Sequence, residues 1–316
     1  MGRSLSIQLE DLIQCPNCKG DVYIEMDTIT CPNCKASFPI VDRIPIMLDT
    51  IDNESIELSR NKWDTIYCKQ MGDAQFERDF REYQSKYLTP CWDSISKYID
   101  FHKALAYIEI GCGPFYFGNY LGQTNKDSFV VGIDFSFSAL KIAKYLLEKN
   151  GVENYLLVCC DINKMPLKNG IFDIAYGGGV IEHFRSTESI LQSLHYILRK
   201  GGYAFNTVPA LNIGSLTYRQ IWGNIPDVYL MKEVFEFIHI KLLKGRHMRF
   251  GYEKSFTKGK LIKMYAQTGF NQVVVERYPT FIELEYIPSL ALKDLMRRVV
   301  ESSDLFYPML YVVGKK

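Results

Sequence analysis

The chain has almost no net charge, no long apolar run and no apolar run resembling a signal peptide among its first residues, and each absence counts against a class of function. Lys and Arg number 37 against 36 Asp and Glu, a net charge of +1. The strongly basic balance of a nucleic-acid-binding domain is therefore missing from the chain as a whole, although a local basic patch stays open. No stretch of about 18 apolar residues occurs, so no membrane-spanning helix is expected. Met1 to Gln14 have no apolar core of the kind a signal peptide carries, which makes a cytoplasmic protein the expectation. Disorder is not expected either, because 47% of residues are hydrophobic and 14% aromatic, enough to build a core.

Composition divides what is there into three regions. Residues 1–50 hold paired cysteines and short β-like runs (Val22 to Ile24, Phe38 to Val41, Ile44 to Met47). Residues 51–103 are polar, charged and aromatic, with Gly72 their one glycine. The spacing of Asp64, Ile66 and Tyr67, then Phe76, Phe80 and Tyr83 to Tyr87, predicts helices here, read as a helical linker or lid. From residue 104 to 316 short apolar runs alternate with amphipathic stretches. The runs are Leu105 to Ile110, Phe129 to Ile133, Tyr155 to Cys160, Ile171 to Tyr176 and Tyr203 to Val208. A helix is expected from Ser138 to Asn150-Gly151. Another is expected from about Thr187, with Arg199 and Lys200 at its negative end and Gly201 stopping it. Continuous apolar strands between amphipathic helices predict an α/β domain, its mostly parallel sheet covered on both faces.

Nine cysteines are present. Five of them (Cys68, Cys91, Cys112, Cys159, Cys160) are scattered among apolar residues and read as free thiols in a reducing compartment. The other four form near copies, Cys15-Pro-Asn-Cys18-Lys-Gly and Cys31-Pro-Asn-Cys34-Lys-Ala. Each Cys-x-x-Cys turn sets two thiolates on one side of a tight loop, and two such knuckles complete a tetrahedron around Zn²⁺. Four thiolates leave the metal no open position, so its role would be structural. The duplication, and the lack of a surrounding βαβ unit, argue against a redox pair.

The first apolar run ends in Glu109-Ile-Gly111-Cys-Gly113-Pro-Phe115. A glycine turn at the carboxyl end of the first strand of such a sheet is where nucleotide-like ligands bind. A dinucleotide fingerprint would need glycine at 116, which is Tyr116, and a plain structural turn is the alternative. Asp134 closes the second strand, placed to accept hydrogen bonds from ribose hydroxyls. Asp161 closes the third, where a carboxylate can receive an adenine amino group. Gly177-Gly178-Gly179 after the fourth permit close backbone approach to a ligand. One acidic residue after a strand is ordinarily a solvated loop end; the ordered series is what points to a site.

The stretches YIEIGCGPF, VVGIDFSFSAL, CDINKMPLKNGIFDIAYGGGVIEHF and LRKGGYAFNTVP resemble class I methyltransferases, particularly methyltransferase type 11. The resemblance implies a Rossmann-like, seven-stranded, mostly parallel sheet with its last strand antiparallel and S-adenosyl-L-methionine across the carboxyl ends. By position, Gly111 and Gly113 would approach the methionine part and Glu109 would orient the loop or the amino group. Asp134 would hold the ribose beside Phe135, Asp161 and the Ile162 backbone would read the adenine edge, and Gly177 and Gly178 would line the pocket near the sulfonium. Family loops usually carry glycine where this chain has Phe115. Cys15 to Leu48, ending FPIVDRIPIML, resembles the small zinc-ribbon proteins that partner and activate certain RNA and protein methyltransferases, here fused in cis.

A sulfonium methyl is already activated, so transfer is an in-line displacement governed chiefly by positioning. Where the acceptor needs a base, His183 in VIEHF is the candidate, with orientation of backbone or pocket groups as its other role. The acceptor segment is expected at about 209–254. It is rich in aromatics (Tyr218, Trp222, Tyr229, Phe235, Phe237, Phe250, Tyr252) and ends in a basic run (Lys241, Lys244, Arg246, Arg249, Lys254, Lys258, Lys260). It reads as a solvated helical cover or as a lid over an anionic acceptor. The acceptor expected is a small or carbohydrate-linked molecule, with nucleic acid disfavoured by the charge. An rRNA or tRNA methyltransferase using the ribbon for RNA, and a catalytically silent scaffold, are the alternatives. Thr257 to Gly269 reads as a capped helix, Gln272 to Tyr278 as the sixth strand and Leu305 to Gly314 as the last. The sequence does not fix the oligomeric state.

Overall fold

The fold follows from where apolar runs can be buried on both sides. The computed structural model describes residues 9–48, 65, 67, 88–248, 251–280, 284 and 288–316. Most of the helical segment expected between Asp64 and Tyr87, and also Arg249 and Phe250, lie outside the described residues.

In chain order the elements are α1 (Leu9–Leu12), β1 (Tyr23–Glu25), β2 (Thr28–Thr30), β3 (Ser37–Val41), β4 (Ile44–Met47), α2 (Thr89–Ile95), β5 (Ala106–Ile110), α3 (Tyr116–Thr124), β6 (Phe129–Asp134), α4 (Phe137–Lys149), β7 (Tyr155–Cys160) and β8 (Phe172–Gly178). There follow α5 (Thr187–Ile197), β9 (Leu198–Pro209), α6 (Ile213–Leu216), β10 (Ile225–Pro226), α7 (Met231–Glu236), a π-helical turn (Phe237–Leu242), β11 (Lys254–Ser255), α8 (Lys258–Gln267), β12 (Asn271–Arg277), α9 (Leu290–Ser302) and β13 (Met309–Lys315). The seven strands expected of the α/β domain are β5 to β9, β12 and β13.

The chain forms two compact units. The first comprises Met1–Gly177, Gln192–Ala204 and Lys316. Its strands run β1-β2-β3-β4-β7-β6-β5-β8, followed by the start of β9. The ribbon strands β1 to β4 pair antiparallel, whereas β4, β7, β6, β5 and β8 are parallel neighbours. Every residue of β5 and β6 is buried, as parallel strands covered on both faces require. Ser136 caps α4 by accepting the Ala139 amide, a contact worth about 1 kcal/mol. Gly151, at φ +66°, turns the chain after the helix. Arg199 and Lys200 belong to β9 rather than to the end of the preceding helix; the Arg199 guanidinium pairs with Asp173 at the start of β8.

The second unit comprises Gly178–Leu191 and Phe205–Lys315. Here β12 and β13 pair antiparallel, with a register shift between Asn271 and Val274. Helix α8 is capped by Thr257 and buries Tyr265, whose hydroxyl accepts from Asn206 at 2.7 Å. Strand β13 starts later than the expected Leu305. Helix α9 runs to Ser302, and a turn in which the Phe306 amide bonds the Ser303 carbonyl uses the intervening residues.

Candidate functional site

Two backbone reversals shape the end of β5. Gly111 and Gly113 sit at φ +55° and +51°, conformations glycine adopts without strain. The Gly113 amide donates to Asp134 Oδ2 at 2.8 Å, and the Ser136 amide donates to Oδ1 at 2.8 Å. Asp134, buried at the end of β6, thus ties the glycine turn of β5 to the start of α4. Glu109 is buried beneath the same turn, and its Oε2 accepts from Tyr107 Oη at 2.9 Å and from the Gly118 amide at 3.2 Å. Burial pushes the Glu109 carboxyl up to about 8, so it is mostly neutral at pH 7. Phe135 follows, half-buried, its carbonyl accepting from the Cys159 thiol.

Asp161 follows β7 and caps a short helical turn. Its Oδ1 accepts from both the backbone and side-chain nitrogens of Asn163 at 2.9 Å, while Ile162 is buried. Gly177 is buried within β8. One neighbour of this constellation has no signal in the sequence. A Cβ built on Gly113 would lie 2.8 Å from the Tyr67 hydroxyl, so Tyr67 stands directly over the glycine turn.

The ribbon lies in the same unit. The sulfurs of Cys15, Cys18, Cys31 and Cys34 all lie within 4.8 Å of one another. The Cys15–Cys34 and Cys18–Cys31 pairs are 3.5 and 3.4 Å apart. Four thiolates about 2.3 Å from a common tetrahedral centre would be about 3.8 Å apart, so the cluster fits Zn²⁺ with modest opening. Lys19 and Lys35 take the same left-handed conformation at the end of each knuckle. The ribbon joins the sheet through β4, where Ile46 pairs with Cys159 and Met47 with Cys160. A second seam follows at residues 165–168. The Gln14 amide bonds the Pro166 carbonyl and the Lys168 amide bonds the Leu12 carbonyl. Gln14 Nε2 reaches the Leu167 carbonyl at 2.7 Å and Lys19 Nζ the Met165 carbonyl at 3.0 Å. The first knuckle therefore braces the loop that begins at Asp161 and Ile162.

In the second unit Gly178 is exposed, and Ile181–His183 form one helical turn. His183 Nδ1 lies 2.7 Å from the Tyr252 carbonyl. A carbonyl only accepts, so Nδ1 carries the proton and Nε2 of the neutral ring keeps its lone pair, the tautomer a base needs. Lys254 Nζ donates to the Arg185 carbonyl at 3.2 Å, so β11 and the residues before it hold the last residue of the turn and the chain that leaves it. Lys254 is buried, 3.9 Å from Asp227, and burial draws its ammonium down to about 8. The neighbouring Glu182 is also buried, which raises its carboxyl well above the usual range, and its Oε2 has no hydrogen-bond partner among the described residues. The basic run therefore divides: Lys254 turns inward, whereas Lys241, Lys244 and Arg246 are exposed.

Comparison with known proteins defines the class. Residues 101–225 match a methyltransferase domain family, and residues 8–42 match the Trm112p-like protein family. The chain thus carries a methyltransferase domain of Rossmann-like fold behind a Trm112p-like ribbon domain. It is 28% identical over 115 residues to malonyl-[acyl-carrier protein] O-methyltransferase of Legionella pneumophila, covering 36% of this chain and 38% of that protein. It is 32% identical over 127 residues to tRNA (carboxymethyluridine(34)-5-O)-methyltransferase of Saccharomyces cerevisiae, covering 39% and 42%. The matches thus span about two fifths of these relatives. In fold it is similar to a chain in the complex between the Haloferax volcanii Trm112 methyltransferase activator and a methyltransferase. There the TM-score is 0.54 at 12% identity, covering 81% of this chain and 96% of that one.

Proposed function

We propose that the chain is an S-adenosyl-L-methionine-dependent methyltransferase whose ribbon holds one structural Zn²⁺. The observation that carries this reading is the brace between the Gly113 amide and buried Asp134, at the carboxyl ends of parallel β5 and β6. Gly111, Gly113 and Glu109 would face the methionine part, Asp134 and Phe135 the nucleoside, and Asp161 with Ile162 the adenine. Gly177 and Gly178 would lie toward the sulfonium. His183 would accept a proton at Nε2 where the acceptor has one to lose, Nδ1 being committed to Tyr252.

The acceptor we favour is a small or carbohydrate-linked molecule with an anionic oxygen, enclosed by segment 209–254. Support for the anionic oxygen comes from the names of the two relatives, whose malonyl and carboxymethyl groups, borne by an acyl-carrier protein and a tRNA, each carry a carboxylate. Incubation with methyl-labelled cofactor, comparing a small-metabolite fraction with total cellular RNA, tests the reading; label in the metabolite fraction is expected. The tRNA relative and the ribbon give an RNA acceptor its own support. Salt-sensitive label confined to RNA would establish that reading instead.

A further inference from the structure

The segment 228–248 in the second unit has its amphipathicity inside out. Helix α7 buries no residue and continues directly into the π-helical turn. Val234, Phe237 and Leu242 follow one another at intervals of three and five residues, one per turn of α and then π geometry, and so share a face; Leu230, at φ +68°, precedes the helix as its cap. All four are exposed, with Phe237 at 62% and Leu242 at 65%, and Tyr229 beside them reaches 83%. The tethers toward the rest of the unit are polar. His239 is buried between His247 and Gln220, at 2.8 Å from each, and Glu236 accepts from Tyr252 Oη at 2.6 Å. An ordinary surface helix points its apolar stripe the other way.

Helix α7 carries one exposed acid, Glu233, and beyond the helix the charge has one sign. Residues 237–248 include Lys241, Lys244 and Arg246 and no acid. All three are exposed, and none has an ion-pair partner among the described residues. An open depression in the surface is lined by Leu242 and Leu243 together with Lys244, Arg246 and His247.

We infer that this segment docks on an anionic lipid bilayer, Val234, Phe237 and Leu242 entering the acyl boundary while Lys241, Lys244 and Arg246 meet the headgroups. Apolar anchoring together with a basic cluster is the pair of signals that stable interfacial binding requires. A second copy of the chain fits the face less well, because a two-fold contact centred here would bring the same basic groups together. RNA would use the cations and leave the leucines and Phe237 in water. The inference concerns the exposed side of a segment that lies within 209–254, and it does not depend on which acceptor that segment encloses.

Full-length protein is sedimented with vesicles of phosphatidylcholine alone and of phosphatidylcholine with phosphatidylglycerol. The expected result is binding to the anionic vesicles only. Lys241→Glu/Lys244→Glu/Arg246→Glu should weaken it by at least about ten-fold. Phe237→Ser/Leu242→Ser should do the same, with the thermal unfolding midpoint kept in both variants because the altered side chains are exposed. Equal sedimentation with both vesicle types, or no effect of either variant, overturns the proposal. So does a concentration-dependent dimer that only the Phe237/Leu242 variant abolishes, or RNA binding lost in the charge-reversed variant while vesicles do not bind.

Discussion

The ring of Phe115 occupies the space where a side chain at Gly118 would stand: a Cβ on Gly118 would lie 2.1 Å from two ring carbons. Phe115 is fully buried, in the left-handed conformation at φ +59°, where related loops usually have glycine. The ring also faces Gly132 and stacks on Tyr107 at 6.4 Å. The aromatic side chain thus offsets a backbone conformation that disfavours it, by filling a hole between α3, β5 and β6. Gly118→Ala should cost about 1–3 kcal/mol through overpacking. Phe115→Ala should cost about 3–5 kcal/mol, since it leaves a cavity where the ring stood. Urea unfolding of both variants checks this; parent-like midpoints would mean that the loop takes another path.

Metal should be coupled to the cofactor site through the ribbon seam. We expect about one zinc per chain by elemental analysis, lost in Cys31→Ser. Because Lys19 and Gln14 hold residues 165–167, chelation should also weaken cofactor binding, measured by calorimetry after removal and again after zinc is restored. Full cofactor affinity in zinc-free protein would show that the seam does not transmit order to Asp161 and Ile162.

Strand ends were legible because each apolar run stops at a residue that water or a ligand must meet: Ile110 before the glycine turn, Asp134, Cys160 before Asp161. The duplicated knuckle was legible because four thiols at fixed spacing have few other uses. Tyr67 was not, since its approach to Gly113 joins segments with no common periodicity. Lys254 was hidden in a basic run that reads as solvent-facing, and the two-residue strand that turns it inward, paired through Ile225 and Pro226, is too short to leave a pattern. Arg199 and Lys200 read as the end of a helix because their charge suits one; the ion pair with Asp173 that keeps Arg199 in a strand is a tertiary contact.

Asp134→Ala should weaken S-adenosyl-L-methionine binding by about 1–3 kcal/mol, through lost ribose contacts and through release of the Gly113 amide. NAD should not bind the parent. Calorimetry giving equal affinity for variant and parent would remove Asp134 from the cofactor site.

His183→Gln keeps a side chain able to hydrogen bond but removes the basic nitrogen. It should lower kcat by about 10²–10⁴-fold if Nε2 takes a proton in the rate-limiting step, with cofactor affinity unchanged. A carboxylate acceptor has no proton to lose, and for it the loss should be much smaller. The kcat ratio, measured once an acceptor is in hand, therefore reports on acceptor chemistry as well as on His183.

Stability should fall as pH rises through the neutral range, and Glu109 is one cause. Burial first of all raises its folded-state value from 4.5 to about 8, against hydrogen bonds from Tyr107 and Gly118 that lower it. Between those values the native state holds a proton that the unfolded chain has released. The contribution of the neutral carboxyl is fully present below pH 4.5 and is lost as pH climbs to about 8. Glu182, raised by burial in the second unit, adds a slope of the same sign. Glu109→Gln removes the titration while keeping an acceptor for Tyr107 and Gly118, so unfolding free energy plotted against pH should decline less steeply across this window. Glu109→Gln/Glu182→Gln should flatten it further. Denaturant titrations between pH 5 and pH 8.5 give the comparison, and a variant curve parallel to the parent's would mean that Glu109 is ionised in the folded protein.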